Sequence, residues 1–151
     1  MQNIVYGEAS GADIPALVGL LAILFGIEKD FQPDISKQET GISLLINNTQ
    51  TATIQVARNH ANQVIGMVSA QLVISTAQGA PSAWVEDMVV DSAYRGQGIG
   101  KQLLQNALNW AKKNGATRAQ LLVDIENSEA LTYYQHLKWQ ATQLQARRVF
   151  L

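Results

Sequence analysis

Three kinds of hydrophobic pattern follow one another along this chain and predict its helices and strands. An uninterrupted apolar run at 14–27 predicts a buried helix, because the run is too short to span a bilayer and contains Pro15. Apolar residues recur at helical spacing from Ile99 to Ala111, ahead of a glycine stop at Gly115. β-branched, partly alternating runs between these segments predict strands.

Together the patterns predict a mixed α/β sheet with about four helices. The predicted order is a strand at 3–9, helices at 14–27 and 35–47, strands at 51–59, 63–75 and 82–91, a helix from Ile99, a strand at 117–126, a helix at 127–138 and one or two closing strands within 139–151. The chain has 151 residues, a common size for one domain, so we expect a single domain over residues 1–151.

Composition narrows the classes of function. With 47% hydrophobic and 15% charged residues, the chain has the make-up of a folded protein. Its formal net charge of -1 predicts neither nucleic-acid nor membrane binding. The absence of cysteine and the presence of only two histidines argue against a bound metal. We expect a cytoplasmic protein, because the run at 14–27 lacks the basic start of a signal peptide.

The stretch YRGQGIGK, residues 94–101, places three glycines between a predicted strand and a predicted helix. Backbone N–H groups at such a helix start form an anion site that suits phosphates. A Walker loop does not fit, because Arg95 and Gln102 stand where it needs glycine and serine or threonine. A Rossmann fingerprint does not fit either, because its third glycine would be Lys101 or Leu103.

Two motifs resemble signatures of the Gcn5-related N-acetyltransferase (GNAT) family. RGQGIG (95–100) matches the family's R/Q-x-x-G-x-G/A loop, and NSEALTYY (127–134) matches its N-x-x-A-x-x-x-Y signature. The resemblance covers residues 86–139, about a third of the chain. It implies a single-domain fold with a mostly antiparallel sheet, whose fourth and fifth strands splay apart.

The resemblance also implies that the chain binds acetyl-CoA. In the family, the glycine loop holds the diphosphate of coenzyme A, and the pantetheine arm pairs with strand backbone in the cleft between the splayed strands. The diphosphate is thereby assigned to the backbone of Arg95, Gly96, Gln97, Gly98, Ile99, Gly100 and Lys101. The acetyl and pantetheine end is assigned to the backbone of Met88, Val89 and Val90, and to Asn127.

Glu86 is the candidate general base. An alkylammonium has a pKa of ~10.4, so an attacking amine benefits from a group that removes its proton. The resemblance to diamine acetyltransferases, which share a local ED...YRG.GIG pattern, implies this role for Glu86, and Asp87 is the alternative. Strand alternation predicts that Glu86 shares a face with Trp84 and Met88, opposite Asp87 and Val89.

Tyr134 is the candidate general acid, because it matches the family's tyrosine. A phenol of pKa ~10 stays protonated at neutral pH and can donate to a thiolate whose conjugate acid has a pKa near ~8.5. Tyr133 points about 100° away on the helix, so we expect at most one of the two to face the sulfur. A backbone N–H at a bulge near Val89 or Val90 would stabilise the oxyanion.

The predicted acceptor is a primary amine of a small molecule. In the family, the first two helices and their loop form the lip of the acceptor pocket, here residues 25–34. Glu28, Asp30, Asp34 and Asp87 would make that end acidic and suit a cationic amine, although a solvated loop explains the same residues. Polyamines, aminoglycosides, amino acids and protein N-termini all stay open. The predicted function is an acetyl-CoA-dependent N-acetyltransferase; the alternative is a non-catalytic acyl-CoA-binding sensor or regulatory module.

Two features near the C-terminus depart from the family or stay open. Lys138 stands where the family usually has glycine, and a left-handed conformation there would cost lysine about 1 kcal/mol more than glycine. The segment RRVFL (147–151) could form an edge strand of the kind through which relatives pair, so a homodimer is an open alternative.

Overall fold

A computed structural model describes residues 3–27 and 34–151. Within these residues the chain forms five strands and four α-helices. The strands are β1 (Val5–Glu8), β2 (Ala52–Arg58), β3 (Val64–Ser75), β4 (Ala80–Val90) and β5 (Arg118–Leu121). The helices are α1 (Ile14–Ile27), α2 (Ile35–Asn47), α3 (Ile99–Lys113) and α4 (Ser128–His136).

The strands form one sheet in chain order, β1-β2-β3-β4-β5. The pairings of β1 with β2, β2 with β3 and β3 with β4 are antiparallel. The predicted α/β class with a mostly antiparallel sheet is therefore confirmed. Packing divides the chain into two compact units, residues 1–120 and 121–151, and the second contains α4.

Helices cover both faces of the sheet in the first unit. On one face, α1 and α2 pack onto a buried cluster: Leu17, Leu20, Leu21, Ile42, Ile54, Val56, Met67 and Val89. Gly66 precedes Met67 on β3 and so faces the other side, where α3 lies. A Cβ at Gly66 would lie 3.0 Å from Cδ1 of Leu103, so glycine allows α3 to approach the sheet closely.

A partly buried ion pair between Asp13 and Arg58 holds the start of α1 against the sheet. Both guanidinium nitrogens of Arg58 on β2 donate to the carboxylate of Asp13, at 2.9 and 2.7 Å. The hydrogen bonds from Arg58 lower the pKa of Asp13. Because Asp13 directly precedes α1, the pair joins the start of this helix to the sheet.

The strand predicted at 117–126 is shorter in the structure, and the closing strands predicted within 139–151 are wrong. After Leu121 the chain turns at Asp124, whose carboxylate accepts the N–H of Glu126 at 2.9 Å. Residues 139–151 contain no strand, and Val149 and Phe150 are exposed. Strand propensity depends on a neighbouring strand to pair with, which this segment lacks. The homodimer stays a prediction.

None of the helices within residues 3–27 and 34–151 has the length and apolarity needed to cross a membrane. The cytoplasmic location stays a prediction.

Candidate functional site

A β-bulge interrupts β4 beside Glu86. Met67 on β3 pairs with Val89 and Ser69 pairs with Glu86, so the single residue between Met67 and Ser69 faces two residues of β4. One of these, Asp87, has a φ of 56°, in the left-handed region that aspartate tolerates better than most residues. The bulge therefore comprises Asp87 and the next residue, Met88, and leaves their backbone outside the regular ladder.

The bulge corrects two predictions. It lies earlier than the predicted position near Val89 or Val90, since Val89 and Val90 both keep partners on β3. It also changes which side chains share a face. Trp84 lies with Glu86 as predicted, but Val89 joins the buried cluster under α1 instead of facing away from Glu86, because the extra residue reverses the alternation.

Glu86 is held at both its side chain and its backbone. The indole Nε1–H of Trp84 donates to Oε1 of Glu86. The hydroxyl of Ser69, a buried residue, donates to the backbone oxygen of Glu86 at 3.1 Å. The carboxylate itself is exposed. Glu86 is thus an oriented carboxylate that solvent or a ligand can reach.

A cleft of about 450 Å³ opens next to Glu86 within the first unit, and we call it the β4 cleft. It lies between α1, α2 and the strands β3 and β4. Its lining is Leu21, Phe25, Lys37, Gln38, Gly41, Ile42, Leu44, Leu45, Asn48, Ile54, Met67, Gln71, Glu86 and Asp87. Apolar side chains dominate this lining, and both candidate bases border the same space. The prediction that Glu86 and Asp87 face opposite sides is therefore wrong.

The glycine loop, residues 94–101, has the geometry of an anion site. Gly96 and Gly98 have φ values of 77° and 80°, which favour glycine. Apart from the chain neighbours, no atom of a described residue lies within 4 Å of where a Cβ would stand at either position. Gly98 caps α3 without a side-chain hydrogen bond, and the first helical bond runs from the N–H of Gln102 to Gly98 at 3.1 Å. The N–H groups before Gln102 therefore point out of the helix start.

Flanking residues define what the loop can offer a ligand. Nε of Arg95 donates to the carbonyl of Val90 at 3.1 Å, which fixes the guanidinium beside the loop and occupies the Val90 carbonyl. The side chain of Ile99 is buried in the core, so Ile99 can offer only its backbone. Lys101 is exposed. A diphosphate fits this arrangement of backbone donors and positive charge.

The second unit contains the two remaining predicted residues. Asn127 is the N-cap of α4, and its Oδ1 accepts the N–H of Ala130 at 3.0 Å, so its Nδ2 is the polar atom left for a ligand. The ring of Tyr134 makes edge contacts with Tyr133 and Trp139, at centroid distances of 5.3 and 6.0 Å. Burial raises the pKa of Tyr133.

At the end of α4, Lys138 adopts the left-handed conformation in spite of its cost to lysine, with a φ of 69°. The N–H of Trp139 donates to the carbonyl of Tyr134 at 2.9 Å, and the N–H of Lys138 donates to that of Gln135 at 2.9 Å. These two bonds form a Schellman motif, with Lys138 at the position that favours glycine.

Of the predicted acceptor residues, Glu28 and Asp30 lie outside the described residues, whereas Asp34 caps α2. Its carboxylate accepts the N–H of Lys37 at 3.1 Å, and this bond lowers the pKa of Asp34. Sequence reasoning missed Gln38, which lines the cleft and is 7% exposed. Its position four residues before the buried Ile42, on the same helix face, was the available signal.

Comparison with known proteins agrees with the two motifs. The model of the acetyltransferase (GNAT) family matches residues 22–139. An uncharacterized N-acetyltransferase of Methanocaldococcus jannaschii is 36% identical over 64 residues, which cover 42% of this chain and 28% of that protein. N-acetyltransferase 8F1 of Rattus norvegicus is 33% identical over 81 residues, 54% of this chain and 37% of that protein. This chain thus spans about a third of the length of these curated relatives.

Solved structures share the fold over nearly the whole chain. A possible acetyltransferase from Clostridium difficile 630 superposes with a TM-score of 0.85 at 19% identity, covering 98% of this chain and 97% of that one. A transcriptional regulator from Bacillus halodurans C-125 gives 0.82 at 26% identity, covering 98% and 100%. An aminoglycoside N-acetyltransferase, AAC(6')-Iy, in complex with CoA, gives 0.79 at 16% identity, covering 100% and 95%.

Proposed function

Because the chain belongs to the GNAT family of acetyltransferases, we propose that it transfers an acetyl group from acetyl-CoA to a primary amine bound in the β4 cleft. The observation that carries this proposal is the position of Glu86: an oriented, accessible carboxylate borders an apolar cleft and adjoins a bulge in the strand. These features supply a place for the acceptor, a base for its proton and a backbone N–H group for the developing negative charge.

The glycine loop supports coenzyme A as the carrier of the acetyl group. Two left-handed glycines and the uncapped start of α3 present backbone N–H groups without intervening side chains, and Arg95 and Lys101 add positive charge. When bound, acetyl-CoA supplies the activated acetyl thioester. The structural neighbour solved in complex with CoA has the same fold and supports a carrier of this type.

Glu86 removes the proton from the bound ammonium. An amine of pKa ~10.4 is almost entirely protonated at neutral pH, and only its neutral form attacks a thioester. The indole of Trp84 holds the carboxylate toward one side, and Asp87 on the same cleft adds a second negative charge that favours a cationic acceptor. Asp87 is the alternative base.

The bulge and Tyr134 carry the remaining steps. We assign the oxyanion to the backbone N–H of Met88, because the bulge sets this residue outside the regular ladder. We assign the proton that the departing thiolate takes to the phenol of Tyr134, on the basis of its place in the N-x-x-A-x-x-x-Y signature. Asn127 Nδ2 would contact the pantetheine.

A thiol-release assay tests the proposal. The protein is incubated with acetyl-CoA and primary amines that include diamines, aminoglycosides, amino-acid amides and short peptides. Release of free thiol with at least one amine supports the transferase. Tight acetyl-CoA binding without turnover on any amine would instead support the regulatory alternative. We retain that alternative because the chain shares its fold with a transcriptional regulator at 26% identity. Failure to bind coenzyme A would overturn both.

Tyr134→Phe tests the assignment of the acid, with Tyr133→Phe as the matched control. Each substitution removes one hydroxyl and keeps the aromatic contact between the two rings. We expect Tyr134→Phe alone to lower turnover by about 100-fold while leaving acetyl-CoA affinity nearly unchanged. A large loss of affinity, or an equal loss of turnover in Tyr133→Phe, would refute the assignment.

A further inference from the structure

Gln38 has a buried amide whose polar atoms have no hydrogen-bond partner within residues 3–27 and 34–151. The residue is 7% exposed, and neither Nε2 nor Oε1 makes a hydrogen bond to any described residue. Leaving both atoms unsatisfied costs stability, because each gives up hydrogen bonds to water without replacement. An apolar residue would avoid that cost, since Gln38 lies one helical turn before the buried Ile42 on the packed face of α2.

Gln38 is among the residues that line the β4 cleft together with the candidate bases. Gln38 lies on α2, while Glu86 and Asp87 border the cleft from β4. The surface between them is mostly apolar, with Leu21, Ile54 and Met67 among its residues. A ligand whose amine lies at Glu86 would therefore extend an apolar portion across the cleft and bring a polar group to Gln38.

The chemistry of the side chain limits what that polar group can be. A carboxamide presents two N–H donors next to one oxygen acceptor. A carboxylate would satisfy Nε2 and leave Oε1 without a donor, and a second ammonium would do the reverse. A neutral amide offers both an acceptor and a donor with the matching spacing, so it pairs with both atoms of Gln38, which neither of these ions does.

We propose that Gln38 binds an amide group of the acceptor, so that the substrate is a primary amine carrying an apolar side chain and a carboxamide or peptide bond. This inference rests on the proposed acetyl transfer and specifies its acceptor. Lys37 also borders the cleft, and its positive charge would attract a free carboxylate. A carboxylate is therefore the rival to an amide as the group bound at this position.

Three acceptors that share the amine and side chain of leucine separate these cases: leucinamide, leucine and 3-methylbutylamine, which lacks the carbonyl group. Each is tested with the wild-type protein and with Gln38→Met, which keeps the length of the side chain and removes both polar atoms. Gln105→Met, an exposed position on α3, is the control. The amines differ in pKa, but each comparison is made between variants on one acceptor, so that difference cancels.

We expect Gln38→Met to lower kcat/KM for leucinamide by about tenfold or more, mainly through KM, and to change the value for 3-methylbutylamine by less than about threefold. Gln105→Met should change neither. An equal loss on both acceptors, no loss on leucinamide, or a larger loss on leucine than on leucinamide would overturn the proposal. Turnover of leucylglycylglycine would place peptide N-termini among the substrates, and turnover of leucinamide alone would restrict them to small amides.

Thermal unfolding separates a binding role from a structural one. Because the amide of Gln38 has no hydrogen-bond partner in the described part of the chain, Gln38→Met should keep the unfolding midpoint or raise it by about 2–4 °C. A lower midpoint would show that Gln38 stabilises the fold and would overturn the proposal. If no amine is acetylated, the proposed function fails but the amide site is still tested: leucinamide should raise the midpoint of the wild type and not of Gln38→Met.

Discussion

The indole N–H of Trp84 donates a hydrogen bond to the Oε1 of Glu86, two residues further along β4. Both side chains project from the same strand face, and Glu86 immediately precedes the bulge. Trp84 is absent from the lining of the β4 cleft, whereas Glu86 belongs to it. We therefore propose that Trp84 is a positioning residue, which orients the candidate base without contacting the acceptor.

Trp84→Phe should reduce kcat about tenfold and leave KM for acetyl-CoA within about twofold of the wild type, because one hydrogen bond to a charged group is lost. Steady-state kinetics with the best acceptor provides the measurement. Trp110→Phe on α3 is the matched control and should leave both constants unchanged. A selective rise in the KM for acetyl-CoA would show that Trp84 acts in donor binding instead.

Gly98→Ala should weaken acetyl-CoA binding by about tenfold or more and destabilise the protein by about 1 kcal/mol. Both effects follow from the φ of 80°, which alanine adopts only with strain, so relaxation moves the N–H groups at the start of α3. Calorimetric titration and urea unfolding measure the two quantities.

Gly19→Ala on α1 provides the contrast. As at Gly98, a Cβ added at Gly19 would stand in open space, but Gly19 has an ordinary helical conformation. We expect a small gain in stability and no change in acetyl-CoA affinity. Unaltered affinity in Gly98→Ala would count against the glycine loop as the diphosphate site.

Lys138→Gly should raise the free energy of unfolding by about 0.5–1 kcal/mol, because glycine adopts the left-handed conformation of the Schellman motif without strain. Gln135→Gly, inside α4, should lower it by about 1 kcal/mol. Urea unfolding of the two variants measures the opposite signs. Loss of stability in both would mean that the side chain of Lys138 contributes contacts that outweigh its strain.

Local signals predicted most of the fold. The bounds of α2, predicted at 35–47, agree with the structure, and α3 begins at Ile99 as predicted. The glycine loop at the start of α3 was also predicted from a short motif, because its geometry depends on a few neighbouring residues. A short family signature determines local backbone geometry, so the geometry seen in the family can be predicted for a new sequence that carries the signature.

Long-range register was not predictable in the same way. The bulge at Asp87 depends on how β4 aligns with β3, and no residue near Asp87 marks it in the sequence. The burial of Gln38 likewise results from the packing of α2 over the sheet. The prediction of closing strands failed for a related reason. A strand needs a neighbouring strand to pair with, and composition does not reveal whether one is present.

Glu86→Gln tests the central claim most directly, because glutamine keeps the size of the side chain and cannot accept the amine proton. Turnover is measured as acetylated amine by mass spectrometry from pH 7 to pH 10, beside Glu39→Gln, an exposed control on α2, and Asp87→Asn, the alternative base. At pH 7 we expect Glu86→Gln to lose about 100-fold or more, while Glu39→Gln retains full activity.

The loss in Glu86→Gln should shrink by up to about tenfold per pH unit as the amine, of pKa ~10.4, loses its proton to solvent. This recovery at high pH is the result that the account predicts. Wild-type turnover in Glu86→Gln at pH 7, or a loss that stays constant to pH 10, would contradict Glu86 as the base.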